Sequence, residues 1–429
     1  MKVISILILI AASLGVQAQK KLHEQIVREA ERIDPKVIEW RRDIHEHAEL
    51  SNREFQTAEK VAAHLKALGL EVETGVAHTG VIGLLRGGKE GPTVALRADM
   101  DGLPVVERTN VPFKSVQKGE YEGQEVGVMH ACGHDTHVAI LMGVAEVLAG
   151  MKKDIPGTVK FIFQPAEEGA PAGEEGGARM MVKEGVMKGV DAVFGLHIDS
   201  QTEIGQIRYK PGGWMASANR FKVIIHGKQV HGAYPWNGVD PIVTAAQIIN
   251  GLQTIVSRKM KLIEEPAVVT IGSIHGGVRS NIIPEEVVLD GTFRALDEEM
   301  RKIIEEQIKL KATTIAESMG ANAEVIIFEG FPVTKNDPEL TERMLPSLQR
   351  AAGEENVRLA KAVTGAEDFS LFAQEAPGLY FDLGGMQEGQ DPSTAPAHHT
   401  PNYLVDDSRL EVGVKALSML AVDYLSGKD

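Results

Sequence analysis

The sequence has a single cysteine, no excess of basic residues and no long internal repeat. One cysteine in 429 residues cannot supply the close cysteine pairs that structural zinc sites use. A formal net charge of −15 argues against nucleic acid or an anionic membrane surface as a partner, because both bind basic patches. The content of 43% hydrophobic and 24% charged residues is typical of a globular protein, and the length favours two domains.

The first 18 residues have the pattern of a cleavable signal peptide. Lys2 precedes the uncharged residues 3–16, and Val16-Gln17-Ala18 then resembles a cleavage site. The run is too short to span a bilayer comfortably, so an uncleaved anchor helix is the weaker alternative. We expect a periplasmic or secreted protein that has no membrane attachment after cleavage. A lone cysteine is notable in such an oxidising compartment, where cysteines are usually paired.

The spacing of apolar residues predicts alternating helices and strands after the signal peptide. Helices are expected from Leu22, with a break at Pro35, from about Arg53 and after His137. Short β-branched runs predict strands at residues 81–86, 93–97, 159–163 and 192–196. Alternation of this kind is typical of an α/β domain with a mostly parallel sheet, which binds ligands at its carboxyl edge. Acidic or imidazole side chains follow the last three strands, namely Asp99 and Asp101, Glu167 and Glu168, and His197.

The pattern changes near Gly212 and changes back after Gly330. Between these points, the expected elements follow the order β-α-β-β-α-β, which is typical of a ferredoxin-like α+β domain. The sequence therefore predicts an inserted domain at residues 212–328. The flanking residues 19–211 and 329–429 are expected to form one discontinuous α/β domain.

Candidate metal ligands are concentrated around the only cysteine. A mixed set of imidazole, carboxylate and one thiolate suits a catalytic divalent metal with an open coordination position. Two such ions about 3.5–4 Å apart would polarise a carbonyl group and lower the pKa of a water molecule. The candidates lie at strand ends or in loops, and they are Cys132, His134, Glu168, His197 and one of His398 or His399.

Cys132 has a second interpretation, as the nucleophile of a thiol hydrolase. His134 or His130 would then be the base, and Asp135 would orient it. Side chains two positions apart rarely adopt nucleophile–base geometry, whereas a loop can wrap both around one ion. The sequence favours metal ligation.

Glu167 and Glu168 are adjacent carboxylates directly after an apolar strand and a proline. Such pairs usually lie on a solvated surface, but this position is unusual for one. One carboxylate can bind a metal while its neighbour points the other way and transfers a proton. The pair therefore supplies a candidate general base.

Four runs, at residues 97–104, 129–137, 164–168 and 365–369, resemble one known family. It is the aminoacylase and carboxypeptidase family of metal-dependent amidohydrolases, in the subgroup of hippurate hydrolases and indoleacetyl-amino-acid hydrolases. The resemblance implies a zinc-peptidase-like catalytic domain with two Mn²⁺ or Zn²⁺ ions and an inserted lid that dimerises. It also implies a general base, Glu167, and Asp101 as the residue that orients a ligand. The implied ligands are Cys132, His134, Glu168, His197 and His399, the last preferred over His398 because Pro401 and Tyr403 follow it in the family's spacing.

The inserted domain carries three further residues that the resemblance brings into the site. His231 resembles a lid histidine that reaches the partner's active site and stabilises the oxyanion. Asn281 resembles an element that holds the substrate carboxylate, although a turn residue before Pro284 is nearly as good an interpretation. Arg294 is a further candidate for the carboxylate, with a salt bridge inside the lid as the alternative.

Together these features predict a homodimeric amidohydrolase that cleaves small N-acyl amino acids or related amides. A dipeptidase or carboxypeptidase on the same site is the nearest alternative, because only the shape of the lid pocket separates them. A metal-binding protein without catalysis is a third hypothesis. It would need the ligands but not Glu167.

Overall fold

The computed structural model describes residues 2–427, with side chains for residue 17 and residues 19–427. The predicted signal peptide covers residues 1–18. Apart from residue 17, its side chains lie outside the described ones. Within the described residues, no helix combines the length and the apolar character needed to cross a membrane. The chain divides into two compact units, residues 1–211 with 336–360 and 371–429, and residues 212–335 with 361–370.

The described chain contains both helices and strands, some of them in consecutive runs of one type. The helices are α1 (Lys2–Glu46), α2 (Phe55–Ala67), α3 (His134–Gly150), α4 (Gly177–Lys183), α5 (Pro241–Lys259), α6 (Glu298–Ser318), α7 (Pro338–Ala352), α8 (Phe369–Glu375) and α9 (Glu411–Leu425). The strands are β1 (Glu71–Val76), β2 (Gly80–Arg86), β3 (Lys89–Asp99), β4 (Lys118–Tyr121), β5 (Gln124–Gly127), β6 (Pro156–Gln164), β7 (Ala192–Glu203), β8 (Ile207–Tyr209), β9 (Gly212–Met215), β10 (Ala218–His226), β11 (Val230–His231), β12 (Ala267–Gly276), β13 (Ile282–Ile283), β14 (Glu286–Ala295), β15 (Asn322–Phe331), β16 (Thr334–Asn336), β17 (Val357–Leu359) and β18 (Gly378–Met386).

The first unit is built on a sheet with the strand order β1-β2-β6-β3-β7-β18-β8-β17. The central strands β6, β3, β7 and β18 are parallel, so their carboxyl ends meet at one edge. Helices α1, α3 and α9 pack together, and their apolar side chains form one core with those of the strands. The predicted α/β fold with a mostly parallel sheet is confirmed.

Three elements of the first unit differ from the prediction. Helix α1 does not break at Pro35, because Ile33 and Val37 on either side of it are both buried in the same core. Strand β7 continues through His197 to Glu203, since β18 pairs with it along this length. The residue pattern does not predict strand β18, which is buried along its whole length.

The second unit contains the predicted ferredoxin-like arrangement. Its sheet has the order β12-β14-β10-β15 with antiparallel pairs, and α5 and α6 pack against it. Strand β14 alternates buried and partly exposed residues, as expected for a sheet with one covered face. Residues 361–370, which the sequence assigned to the first domain, belong to this unit. The reason is backbone pairing, because the Ala216 N–H donates to Val363 and Gly365 carbonyls at 3.1 and 2.8 Å.

Candidate metal centre

The candidate ligands of the first unit meet at the carboxyl edge of its sheet. Asp99 ends β3, the Glu167–Glu168 pair follows β6, and His197 lies within β7 beside the loop that carries Cys132. This loop turns into α3 at Gly133, whose φ of +99° places it in the left-handed region. A Cβ atom on Gly133 would lie 2.2 Å from Ile198, so only glycine fits between the strand and the start of the helix.

The donor atoms form overlapping groups, in each of which all atoms lie within 4.8 Å of one another. Among the described residues of the first unit there are four such groups, and His134 belongs to three of them. The groups are Cys132, His134 and His197; Asp99, His134 and His137; Cys132, Glu168 and His399; and His134, Glu167 and Glu168. Thiolate, imidazole and carboxylate in this combination are donors for divalent transition metals. The structure therefore brings all five predicted ligands together.

Hydrogen bonds fix the orientation of two of the candidate imidazoles. Oδ1 of Asp101 lies 3.2 Å from Nδ1 of His134. Nε2 of His134 is buried and has no hydrogen-bond partner among the described residues. Nδ1 of His197 donates to the carbonyl of Ile198 at 2.8 Å, so Nε2 presents a lone pair toward Sγ of Cys132, 3.4 Å away. Both rings therefore offer Nε2 to the centre, as metal-binding histidines do when another group holds the second nitrogen.

Charges around His134 favour a cation at this point. Burial opposes protonation of His134, but the carboxylates of Asp99 and Asp101 raise its pKa to about 10. A metal ion replaces such a proton when it binds, and it would balance the same carboxylates. The buried Nε2 atom of His134, which has no hydrogen-bond partner among the described residues, and the surrounding negative charge together show that these residues fit a divalent metal.

Cys132 does not have the surroundings of a nucleophile. Burial, together with the charges of Glu168 and Glu167, raises the pKa of its thiol well above the usual value. A reactive cysteine instead has a lowered pKa in an electropositive environment. The geometry thus supports ligation by Cys132 over thiol catalysis.

The neighbouring histidines of the same loop have other roles. His137 donates from Nδ1 to Asp99 at 2.5 Å and accepts the Ile198 N–H at Nε2 at 2.8 Å, so both nitrogens are used. Burial lowers the pKa of His130 to about 4, which keeps this ring neutral. Asp135 receives hydrogen bonds from elsewhere, namely from His45 at 2.9 Å. His137 lies in one group of donor atoms with Asp99 and His134, but both of its nitrogens already have partners in the protein, and His130 and Asp135 are in none of the groups found among the described residues.

Asp101 is saturated by donors. Its two carboxylate oxygens accept from Ser51 Oγ at 2.7 Å and from the Glu167 and Glu168 N–H groups at 3.1 and 3.0 Å. The contact with His134 adds a fourth partner. No oxygen remains for a metal, so Asp101 holds a ligand and the backbone of the acidic pair in place.

His399 and His398 occupy different positions beside the centre. Nε2 of His399 lies 3.0 Å from Oε1 of Glu168, and its φ of +62° is a strained value for a residue other than glycine. Nδ1 of His398 lies 3.7 Å from Sγ of Cys132, and Nε2 of His398 lies 3.7 Å from Oδ1 of Asp199. The grouping with Cys132 and Glu168 favours His399 as the ligand.

Three predicted site residues lie in the second unit, which is described by itself. His231 is exposed on β11, which pairs with β13. The backbone carbonyl of Asn281 accepts the Gly232 N–H at 2.8 Å, and this contact holds the residue beside His231. Arg294 is half-buried on β14, and its burial lowers the pKa of the guanidinium group. The sequence-based roles of these residues stay predictions.

The residue pattern does not predict two buried polar residues near the centre, Glu54 and Ser51. Glu54 accepts the backbone N–H of Ala166, and Ser51 donates to Asp101. Both lie in the polar segment 49–54, where nothing in the residue pattern indicates burial. His45 is also fully buried, and its Nδ1 lies 2.9 Å from Oδ2 of Asp135.

This fold and this donor set define a metal-dependent hydrolase. The chain belongs to peptidase family M20/M25/M40, which its residues 95–423 match. Thermostable carboxypeptidase 2 of Saccharolobus solfataricus is 42% identical over 405 residues, covering 94% of this chain and 99% of the relative. N-acetylcysteine deacetylase of Bacillus subtilis is 38% identical over 393 residues, covering 91% and 97%. The predicted family resemblance is confirmed.

A solved structure also matches most of the chain in sequence and fold. The YXEP protein of Bacillus subtilis, described as a dinuclear metal-binding peptidase from the M20 family, has a TM-score of 0.77 at 35% identity. The match covers 92% of this chain and 99% of that chain.

Proposed function

We propose that the protein is a dinuclear-metal amidohydrolase that cleaves N-acyl amino acids into a carboxylic acid and an amino acid. The observation that carries the proposal is the convergence of five ligand side chains beside Glu167. The relative described as an N-acetylcysteine deacetylase and the structure described as dinuclear metal-binding support it. The donor set suits Mn²⁺ or Zn²⁺.

The residues of the first unit divide the chemical work. A pair of divalent ions held by the five ligands would polarise the substrate carbonyl and lower the pKa of a water molecule. Glu167, whose Oε2 lies 3.9 Å from Nε2 of His134, would accept a proton from the attacking water and deliver it to the leaving nitrogen. Asp101 keeps the His134 ring and the Glu167 backbone oriented throughout.

The substrate-binding roles of the second unit are part of the same proposal. His231, contributed by the other subunit of a homodimer, would donate to the developing oxyanion. Asn281 and Arg294 would hold the substrate carboxylate. The exposed imidazole on β11 and the half-buried guanidinium group on β14 supply the chemistry that these roles need. We also propose export to the periplasm or medium, on the basis of the signal-peptide pattern at residues 1–18.

A carboxypeptidase or dipeptidase activity is the second candidate. The relative at 42% identity is described as a thermostable carboxypeptidase, and peptide and N-acyl amide bonds need the same base and metals. The two activities differ in the group on the acyl side of the bond.

A substrate panel separates these candidates. The purified protein is loaded with Mn²⁺ or Zn²⁺ and assayed on N-acetyl, N-benzoyl and indoleacetyl amino acids beside dipeptides and longer peptides. We expect the largest kcat/KM on an N-acyl amino acid. A clear preference for peptides would support the carboxypeptidase alternative, and no hydrolysis with either metal would contradict both.

A further inference from the structure

The turn that carries the acidic pair has an unusual backbone. Strand β6 ends at Gln164, and Ala166 then adopts a φ of +48°, in the left-handed region that residues other than glycine seldom occupy. The Ala166 carbonyl accepts the Gly177 N–H at 3.2 Å. A Cβ atom on Gly177 would lie 1.7 Å from the Pro165 carbonyl oxygen, so the turn is packed closely on this side. Some interaction must stabilise this conformation at Ala166.

Three successive N–H groups of the turn point at buried carboxylates. The Ala166 N–H donates to Oε1 of Glu54 at 2.9 Å, while Glu167 and Glu168 donate to the two oxygens of Asp101 at 3.1 and 3.0 Å. Consecutive N–H groups around a left-handed residue form a concave anion-binding site. Here the carboxyl groups of Glu54 and Asp101, from distant parts of the chain, occupy that site.

Glu54 is built into this arrangement from the other side. It is 0% exposed and lies directly before α2. Its Oε1 atom also accepts the Asn52 N–H at 2.9 Å, and Oε2 is 2.5 Å from Oγ1 of Thr79. Both oxygens are thus engaged by the protein, and Glu54 is absent from the groups of donor atoms that could hold a metal in the described residues.

We propose that Glu54 is a positioning residue, which fixes the left-handed turn at Ala166 and so aims Glu167 and Glu168 at the metal centre. The roles of Glu167 and Glu168 at the metal centre rest on the proposed function. Asp101 alone cannot set the turn, because it contacts only the second and third N–H groups. Glu54 holds the first, at the residue whose conformation is least favourable.

The test compares variants that keep or remove the acceptor for the Ala166 N–H. Glu54→Gln retains an oxygen acceptor and an N–H₂ donor for Thr79, so we expect metal affinity and kcat close to those of the wild type. Glu54→Ala removes the acceptor. We expect it to weaken Mn²⁺ binding about 10–100-fold and to lower kcat about 100-fold, with KM changed little.

Ala166→Gly supplies a rescue that a merely structural role would not show. Glycine adopts a positive φ without a Cβ penalty, so the double variant Glu54→Ala, Ala166→Gly should regain at least about tenfold in Mn²⁺ affinity and in kcat. Val61→Ala, in the buried face of α2, is the control for lost stability. It should lower the melting temperature while leaving Mn²⁺ affinity unchanged.

Mn²⁺ binding is measured by calorimetry on the full-length apoprotein, so the result does not depend on finding a substrate. If Glu54→Ala lowers only the melting temperature, as Val61→Ala does, the proposal is wrong. If the Glu54→Ala protein does not fold, Glu54→Asp is used in its place, because the shorter side chain cannot reach the N–H groups of both Asn52 and Ala166. A Mn²⁺ affinity of Glu54→Asp equal to that of Glu54→Gln would then overturn the proposal. Absence of hydrolysis in the wild type with Mn²⁺ bound would contradict the proposed function instead.

Discussion

Asp101 and Glu54 hold neighbouring N–H groups of one turn, yet their charge states differ. Burial opposes ionisation of Asp101, but the hydrogen bond from His134 and its charge lower the pKa of this carboxyl. Burial, followed by the charge of Asp101, raises the pKa of Glu54 to about 8. The difference lies in the partners, because Glu54 receives only neutral donors while Asp101 also contacts an imidazole.

The comparison shows how one turn is held by two carboxyl groups without strong repulsion between them. Asp101, beside His134, keeps its negative charge and orients this ligand. Glu54, beside Thr79 and the N–H groups of Asn52 and Ala166, can hold its proton in the metal-free protein near neutral pH, and it still accepts hydrogen bonds. Two variants, one at each position, should therefore have different consequences.

Among the variants Asp101→Asn, Glu54→Gln and Ser51→Ala, the largest effect is expected at Asp101. Asp101→Asn replaces one acceptor oxygen by a donor, which opposes the N–H group it faces and frees the His134 ring. We expect Mn²⁺ affinity to fall about 10–100-fold, measured by calorimetry, whereas Glu54→Gln should leave it nearly unchanged. Equal losses in the two variants would contradict the distinction between the charged and the neutral carboxyl.

A pH effect on stability should appear at Glu54 in the metal-free protein. Its pKa rises from 4.5 in the unfolded chain to about 8 in the folded one. The protonated group therefore contributes stability that is complete below about pH 4.5 and is lost as the pH rises through about 8. Glu54→Gln should gain on the wild type by up to about 1.4 kcal/mol per pH unit within this window, measured by urea unfolding.

The result that would contradict this account is a constant difference between Glu54→Gln and wild type from pH 5 to pH 8. Addition of Mn²⁺ offers a check, because nearby cations favour the ionised form of Glu54. Mn²⁺ should therefore reduce the pH dependence of the stability difference between Glu54→Gln and the wild type.

The smallest effect is expected at Ser51, the third donor to Asp101. Ser51→Ala removes one hydrogen bond and should lower the free energy of unfolding by about 0.5–1.5 kcal/mol. Three donors to Asp101 remain, so Mn²⁺ affinity should stay within about threefold of the wild type. A loss as large as that of Asp101→Asn would mean that the hydroxyl alone orients the carboxylate.

The sequence predicts the ligand side of this centre well for a physical reason. Apolar strands that end in Asp, Glu or His are visible in the residue pattern, and parallel strands bring those ends to one edge. This reasoning places Glu168 and His197 together, whereas Cys132 and His134 were candidates because their loop concentrates thiol and imidazole groups. His399 needed the family pattern, because nothing in its loop indicates where the loop packs.

The supporting residues could not be predicted in this way. Glu54 lies in a polar segment, and its burial results from packing against the turn at Ala166, far away in the sequence. Strand β18 is mostly apolar apart from Asp382 and shows no alternation, so periodicity cannot distinguish it from a buried helix. Pro35 was expected to end a helix, but burial of Ile33 and Val37 on both sides of it outweighs the lost hydrogen bond.

The most direct test of the central claim compares Glu167→Gln with Glu168→Gln. We expect Glu167→Gln to retain the wild-type metal content, measured by elemental analysis, while kcat falls about 10²–10⁴-fold for loss of the general base. Glu168→Gln should lose metal as well as activity. Turnover by Glu167→Gln at the wild-type rate would contradict the account, and a wild type that binds both ions but hydrolyses no amide would be a metal-binding protein without catalysis.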